Sequence, residues 1–190
     1  MTSKNKKGFS LVELIVVIAI MATLGVVVAP QYASNKREKS MSYARTQIIN
    51  DIRYVQSYTL STKRFPDGTS PTGGFGIFFE KGKTYYIVFG DKLHGGPVDH
   101  QYNPEYTLGG SELFERINLV DGITITNLEL VNTATSTSTW PLSVSYVSVP
   151  PYGKVYIGGL ADTMILKVTF SNGIASRTET ININSSGFIS

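Results

Sequence analysis

Residues Lys6 to Pro30 read KKGFSLVELIVVIAIMATLGVVVAP. This stretch decides the architecture, because it places one carboxylate, Glu13, in an apolar run that follows a short basic leader. The run from Phe9 to Ala29 can cross a bilayer as a helix, for which about 20 apolar residues suffice. An unpaired charge inside such a span costs roughly 2.5–3.5 kcal/mol on insertion scales. Since residues 9–31 contain no Lys, Arg or His, we expect the partner of Glu13 to come from another subunit.

Of two general interpretations of the N-terminus, a signal anchor fits its composition better than a secretory signal peptide. A secretory signal peptide has an apolar region of about 7–15 residues, whereas the run here is longer and Glu13 interrupts its start. A signal anchor that stays in the membrane fits the composition. In that case Lys4, Lys6 and Lys7 hold the N-terminus inside and the rest of the chain lies outside.

The residues from Lys7 to Leu14, together with Pro30, resemble the class III signal of type IV pilins and type II secretion pseudopilins. The resemblance implies that a prepilin peptidase cuts between Gly8 and Phe9 and then N-methylates Phe9. It also implies that Glu13 pairs with the N-terminal amine of a neighbouring subunit, which offsets the cost of burying either charge alone. The expected partners are other pilin or pseudopilin subunits, the peptidase and an inner-membrane assembly platform.

Gly25 and Pro30 predict a break in the helix near the end of the apolar run. Proline has no N–H, and its ring clashes with the carbonyl four residues back. Kinks in long helices are found mostly at such positions. We therefore expect the helix to bend or melt between these two residues.

Residues 31–64 contain neither Pro nor Gly and are rich in Lys, Arg, Ser and Gln. Apolar or small residues recur there at spacings of three and four, which predicts an amphipathic helix. They are Ala44, Ile48, Ile52, Val55 and Thr59. We expect the membrane helix to continue into the soluble domain and to pack on a sheet through this stripe.

Beyond Arg64 the pattern changes to period two with turn residues, which predicts strands. A helix followed by antiparallel strands is an α+β layout, with a pilin-like helix packed on an antiparallel β-sheet head. The predicted strands are Phe75–Glu80, Lys83–Phe89, Glu115–Val120, Ile123–Val131, Leu142–Val149, Lys154–Ile157, Met164–Phe170, Arg177–Ile183 and Gly187–Ile189, and residues 132–139 are predicted to form a loop. The helix from Ala44 to Arg64, the hairpin after it and the C-terminal strands also resemble, more loosely, the GspH/FimT-like minor pseudopilins.

The predicted organisation has four parts: a leader (1–8), a transmembrane and assembly helix (9–30), its amphipathic continuation (31–64) and a β-rich head (65–190). The chain has 17 basic and 14 acidic residues, and three of the basic ones lie in the leader. Without the leader the numbers of basic and acidic residues are equal, so the charge does not indicate nucleic acid as a partner. The absence of cysteine excludes disulfides and thiolate metal sites.

Few other residues suggest a chemical site. His94 and His100 lie with Asp91 and Asp99 in a Gly- and Pro-containing segment, where an ion could bind. Their spacing matches no known metal loop, so a plain surface loop is the favoured interpretation, and ion binding stays open. The chain has no Gly-x-Ser-x-Gly elbow and no phosphate loop with its Lys. We expect neither an enzyme nor a cofactor.

The resemblance predicts a prepilin whose mature form is a minor subunit of a type IV pilus or of a type II secretion or competence pseudopilus. One alternative is a major pilin that forms the filament shaft, and another is a signal-anchored extracytoplasmic binding module. The expected location is the cytoplasmic membrane, with a single pass, the N-terminus inside and the head outside. After assembly the subunit lies in an extracellular or periplasmic filament.

Overall fold

The computed structural model describes residues 8, 10–92, 98–103, 111–120, 122–149, 154–161, 163–173 and 178–190, without the side chains of residues 27–30, 33, 34, 37 and 161. These residues form one helix and ten strands, and the chain divides into two compact units, Met1–Lys39 and Ser40–Ser190. The elements are α1 (Leu11–Leu60), β1 (Gly74–Glu80), β2 (Tyr85–Asp91), β3 (Leu113–Asn118), β4 (Thr124–Asn132), β5 (Thr137–Thr139), β6 (Ser143–Val149), β7 (Lys154–Ile157), β8 (Leu160–Ala161), β9 (Met164–Ser171) and β10 (Thr178–Asn184).

Helix α1 runs without interruption through Gly25 and Pro30, so the helix does not end at the predicted break. A single proline removes one N–H, and the i→i−4 bonds on either side can still continue the helix. A bend of the helix axis between these two residues stays a prediction.

The head, described from Ser40 onward, contains two antiparallel sheets, where the sequence predicted one. The first has the strand order β3-β2-β1-β6-β7-β8, and the second has the order β10-β9-β4-β5. Strand β6 returns to pair with β1, with Ile77 opposite Tyr146, whereas β4 pairs with β9, with Leu128 opposite Val168. The predicted strand Gly187–Ile189 is reduced to one bridge, from Ile189 to Ile183. Strands β5 and β8 are short and were not predicted from the sequence.

The core of the head lies where the second half of α1 meets the inner faces of the two sheets. The predicted stripe is confirmed, because all five of its residues are at most 2% exposed. Met41 extends this buried face by one turn toward the N-terminus. Together these side chains join the hydrophobic cluster that also contains Phe75 and Ile77 of β1 and Val168 of β9.

Buried hydrogen bonds fix the position of α1 on the first sheet. The Thr59 hydroxyl donates to the carbonyl oxygen of Ser148 (3.0 Å) and accepts from the backbone N–H of Phe75 (3.1 Å), so one side chain joins α1 to both β1 and β6. About two turns earlier on α1, the half-buried Asp51 carboxylate accepts a hydrogen bond from the Tyr86 hydroxyl of β2. Apolar contacts are non-directional, whereas hydrogen bonds require defined distances and angles. These bonds therefore set the register between helix and sheet.

Thr59→Val removes the hydroxyl but keeps the shape of the side chain. We expect the substitution to lower the free energy of unfolding by about 1–3 kcal/mol, because a buried N–H and a buried carbonyl lose a partner. Denaturant unfolding of the full chain in detergent measures this change. Thr46→Val is the matched control, since Thr46 is exposed and bonds only to its own helix at Ser42. Equal unfolding free energies for the two variants would contradict the assigned role of Thr59.

Two buried tyrosines predict sensitivity to alkaline pH. Burial raises the pKa of Tyr146 to about 12, and a hydrogen bond from Gln56 partly opposes the rise. Burial, followed by the hydrogen bond to Asp51, also raises the pKa of Tyr86. Phenols in the unfolded chain ionise near about pH 10, so the stability that these neutral side chains contribute is complete below that pH and is lost as the pH rises toward about 12.

We therefore expect Tyr146→Phe to lose less stability than the wild type between about pH 10 and about pH 12. Phenolate absorbance, followed together with denaturant unfolding, measures both the ionisation and the stability. Tyr54→Phe is the control, because Tyr54 is 60% exposed. The same pH dependence in the wild type and in Tyr146→Phe would refute the prediction.

Candidate assembly helix and processing site

The N-terminus of α1 is closed by a capping box. The Ser10 hydroxyl accepts a hydrogen bond from the backbone N–H of Val12 (3.3 Å). The Glu13 carboxylate reaches back and accepts one from the backbone N–H of Ser10 (3.0 Å). This reciprocal arrangement is the Ser-x-x-Glu capping pattern, and it satisfies two N–H groups that have no partner within the helix.

The capping box gives Glu13 a partner within its own chain, and the pairing of Glu13 with another subunit stays a prediction. Its carboxylate already bonds to Ser10, three residues earlier, and the positive end of the helix dipole favours a negative charge there. The Ser-x-x-Glu spacing was present in the sequence and could have indicated this contact. A carboxylate has two acceptor oxygens, so the bond to Ser10 still leaves room for an ammonium group.

The apolar run is exposed on every side of α1 in the part that the structure describes. All side chains from Leu11 to Val26 are exposed, and the large apolar ones range from 42% for Val17 to 76% for Val26. The one hydroxyl in this part, that of Thr23, donates to the carbonyl of Ile20 (2.9 Å), so its polarity is satisfied within the helix. A helix that is apolar all round is typical of a segment surrounded by lipid or by other helices.

No helix among the residues that the structure describes meets the combined length and apolarity of a membrane span. The membrane crossing predicted for residues 9–30 stays a prediction. Gly25 lies in open space, since a Cβ added there would meet no atom within 4 Å.

The predicted processing site is described only at Gly8. This residue is exposed, and a Cβ added to it would also meet no atom within 4 Å, so the backbone there is open to an enzyme. Phe9, the predicted site of N-methylation, lies outside the described residues. The cleavage and methylation stay predictions.

His100 holds residues 98–103 against the first sheet. His100 Nδ1 lies 3.0 Å from Asp91 Oδ2, and the His100 ring packs on Tyr156 with ring centroids 3.9 Å apart. Burial lowers the pKa of His100, and the charge of Asp99 opposes this change. His94 lies outside the described residues. Within the part of the chain that the structure describes, no three His, Asp or Glu side chains are arranged to hold a metal ion.

The buried residue Glu112 also holds this segment in place. It was not identified from the sequence. The Glu112 carboxylate accepts hydrogen bonds from the backbone N–H groups of Lys92 (3.3 Å) and Asn103 (2.7 Å). The Tyr102 ring lies on Phe78 and Phe89 of the first sheet, with centroids 5.0 and 5.2 Å away. These contacts cover a second, smaller apolar cluster on the face of the sheet opposite α1, and they give this region a structural role.

Comparison with known proteins identifies one segment. The family model of the prokaryotic N-terminal methylation motif matches residues 3–29, which include Gly8, Phe9 and Glu13. No curated protein and no solved structure matches the chain. The motif supports a type IV pilin-like prepilin or pseudopilin, and it implies processing by a prepilin peptidase and assembly with other pilins.

Proposed function

We propose that this chain is a prepilin whose mature form is a minor subunit of a type IV pilus, or of a type II secretion or competence pseudopilus. The observation that carries the proposal is the methylation motif at residues 3–29. It coincides with a capped helix whose described apolar side chains, from Leu11 to Val26, are exposed on all sides.

The exposed apolar surface of α1 from Leu11 to Val26 supports assembly through this helix. Before assembly, lipid surrounds the apolar side chains; afterwards, the helices of neighbouring subunits replace the lipid. Cleavage after Gly8 makes Glu13 the fifth residue of the mature chain, close to a new terminal amine. In the filament Glu13 pairs with the amine of a neighbouring subunit. The pair avoids leaving either charge buried alone, and it fixes the axial register between subunits.

The assignment to a minor subunit depends on the head. A two-sheet, β-rich head follows α1 and closes with β9, a Gly turn, β10 and a Gly-containing tail. This order resembles the GspH/FimT-like minor pseudopilins. The head has a structural or recognition role rather than a catalytic one, since the sequence has neither a nucleophile elbow nor a phosphate loop.

The proposed location follows from the leader. Lys4, Lys6 and Lys7 hold the N-terminus in the cytoplasm before cleavage, and the head lies on the other side of the cytoplasmic membrane. The partners are the prepilin peptidase, the inner-membrane assembly platform and other pilin or pseudopilin subunits. The assembled subunit lies in a periplasmic or extracellular filament.

Mass spectrometry of the mature N-terminus tests the processing step. We expect the chain purified from its own cells to begin at Phe9 and to carry one N-methyl group, because the cut and the methylation belong to one pathway. Gly8→Arg, which places a bulky cation at the cut, should leave the leader attached. An intact leader on the mature wild-type protein would instead support the signal-anchored binding module.

Glu13→Leu tests the assembly step separately. The variant should insert into the membrane and be cleaved, because the apolar run becomes more apolar. Its incorporation into filaments should fall by at least about 100-fold, since an unpaired buried charge costs about 3–5 kcal/mol. The measurement is the amount of subunit in sheared filaments relative to the membrane.

Val17→Leu, an apolar exchange in the same run, is the control and should assemble normally. Normal incorporation of Glu13→Leu would refute the role of the carboxylate. The same preparation distinguishes the two kinds of subunit, because a major pilin dominates sheared filaments and a minor one is scarce.

A further inference from the structure

The first charged residues that follow the apolar run of α1 are mostly basic. No charged residue occurs from Leu14 to Asn35, and residues 36–39 then read KREK, which leaves two positive charges in excess. The described side chains from residue 31 to residue 39 are all exposed. An exposed, positively charged segment therefore begins within about two helical turns of the end of the run.

Tyr32, Lys36 and Lys39, here called the Tyr-Lys stripe, lie on one face of α1. They are four and three residues apart, the spacings at which side chains of a helix are neighbours. Glu38 is exposed as well, but it is two residues from Lys36 and one from Lys39, spacings at which side chains do not face each other. The stripe therefore combines two cations with a phenol and leaves the acidic residue on another face.

The stripe lies at the depth of lipid headgroups when residues 9–30 span the hydrocarbon, as proposed above. The polar layer on each side of a bilayer is roughly 5–8 Å thick. A helix rises about 1.5 Å per residue, so Tyr32 lies about 5 Å and Lys36 about 10 Å beyond Ala29. Side chains of a helix lean toward its N-terminus, and the long lysine side chain carries its charge to polar surroundings along an apolar stem. Both lysines can therefore reach back to the phosphate layer.

The proposed orientation makes these cations unusual. An excess of Lys and Arg normally marks the cytoplasmic side of a membrane helix. Here residues 36–39 lie on the opposite side, and cleavage after Gly8 removes the lysines of the leader. The mature chain then carries the nearest side-chain cations of its apolar run on the outer side. Attraction to anionic headgroups gives the cations a role there.

We propose that the Tyr-Lys stripe binds the headgroups of anionic phospholipids in the outer leaflet of the membrane that α1 crosses. The ammonium groups of Lys36 and Lys39 pair with phosphate oxygens. Tyr32, which is 72% exposed, lies at the boundary between hydrocarbon and headgroups, where tyrosines are enriched. A lipid fits better than an acidic protein surface, because the stripe directly follows the apolar run. The proposal rests on the proposed function, since it requires α1 to span the membrane.

The test measures lipid retention by the full chain, purified in a mild detergent, with native mass spectrometry. The probes are phosphatidylglycerol, which is anionic, phosphatidylethanolamine with the same acyl chains, which has no net charge, and inorganic phosphate. We expect the chain to retain phosphatidylglycerol more tightly than the other two. Lys36→Gln combined with Lys39→Gln should weaken this binding by roughly 30-fold, the factor expected for two cations at an anionic surface.

Lys63→Gln combined with Lys81→Gln is the matched control. Both lysines are exposed and lie in the head, so this variant should retain phosphatidylglycerol as the wild type does. Any lysines of the leader are common to all variants, and the comparison therefore isolates the stripe. Denaturant unfolding of each variant in the same detergent should give the wild-type stability, because the exchanged side chains are exposed.

Equal retention of the two lipids, equally tight binding of inorganic phosphate, or unchanged lipid affinity in the variant at Lys36 and Lys39 would each overturn the proposal. If that variant keeps its lipid but enters filaments poorly, the stripe contacts a neighbouring subunit instead. The proposal and the proposed function fail separately. Lipid retention is measured whether or not the leader is cut or filaments form, whereas the mass of the mature N-terminus tests the processing.

Discussion

The contact between one face of α1 and the inner faces of two sheets is the interaction on which the head depends. Ala44, Ile48 and Ile52 are fully buried, and the strands supply the rest of that core. Apolar burial provides most of the driving force but little positional control. Thr59 supplies that control, because its hydroxyl bonds to β1 and β6 at once and so permits one register of helix on sheet.

The two halves of α1 are both α-helical, but they differ in which of their side chains are buried. From Met41 to Thr59 a narrow stripe is buried and the remaining faces are polar, which is the pattern of a helix on a protein core. From Leu11 to Val26 the described side chains are exposed on all sides and, apart from Glu13 and Thr23, they are apolar. Lipid or the helices of other subunits suit such an apolar surface, which agrees with the assembly that the methylation motif implies.

The methylation motif was recognisable from the sequence because its residues are close together in the chain. The Gly8–Phe9 junction and Glu13 lie within residues 3–29, which the methylation motif matches together with most of the leader. The capping contact between Ser10 and Glu13 could also be predicted from their three-residue spacing, since the partner of the carboxylate is a backbone N–H and not an opposite charge. The contact of His100 with Asp91, by contrast, joins two residues that do not share a helix or a strand, and no local spacing specifies it.

The sequence by itself determined the elements whose patterns are local: the buried stripe of α1, most strand positions, and turns such as Lys81-Gly82, where Gly82 has φ of 84°. The tertiary structure alone decided that the strands form two sheets. Pairs such as Ile77 with Tyr146 join residues far apart in the chain, and a period-two pattern gives the face of a strand but not its partner. The partners of the buried polar groups were decided in the same way. Asp51 lies off the apolar stripe, and its bond to Tyr86 exists only because the helix and the sheet meet in that register.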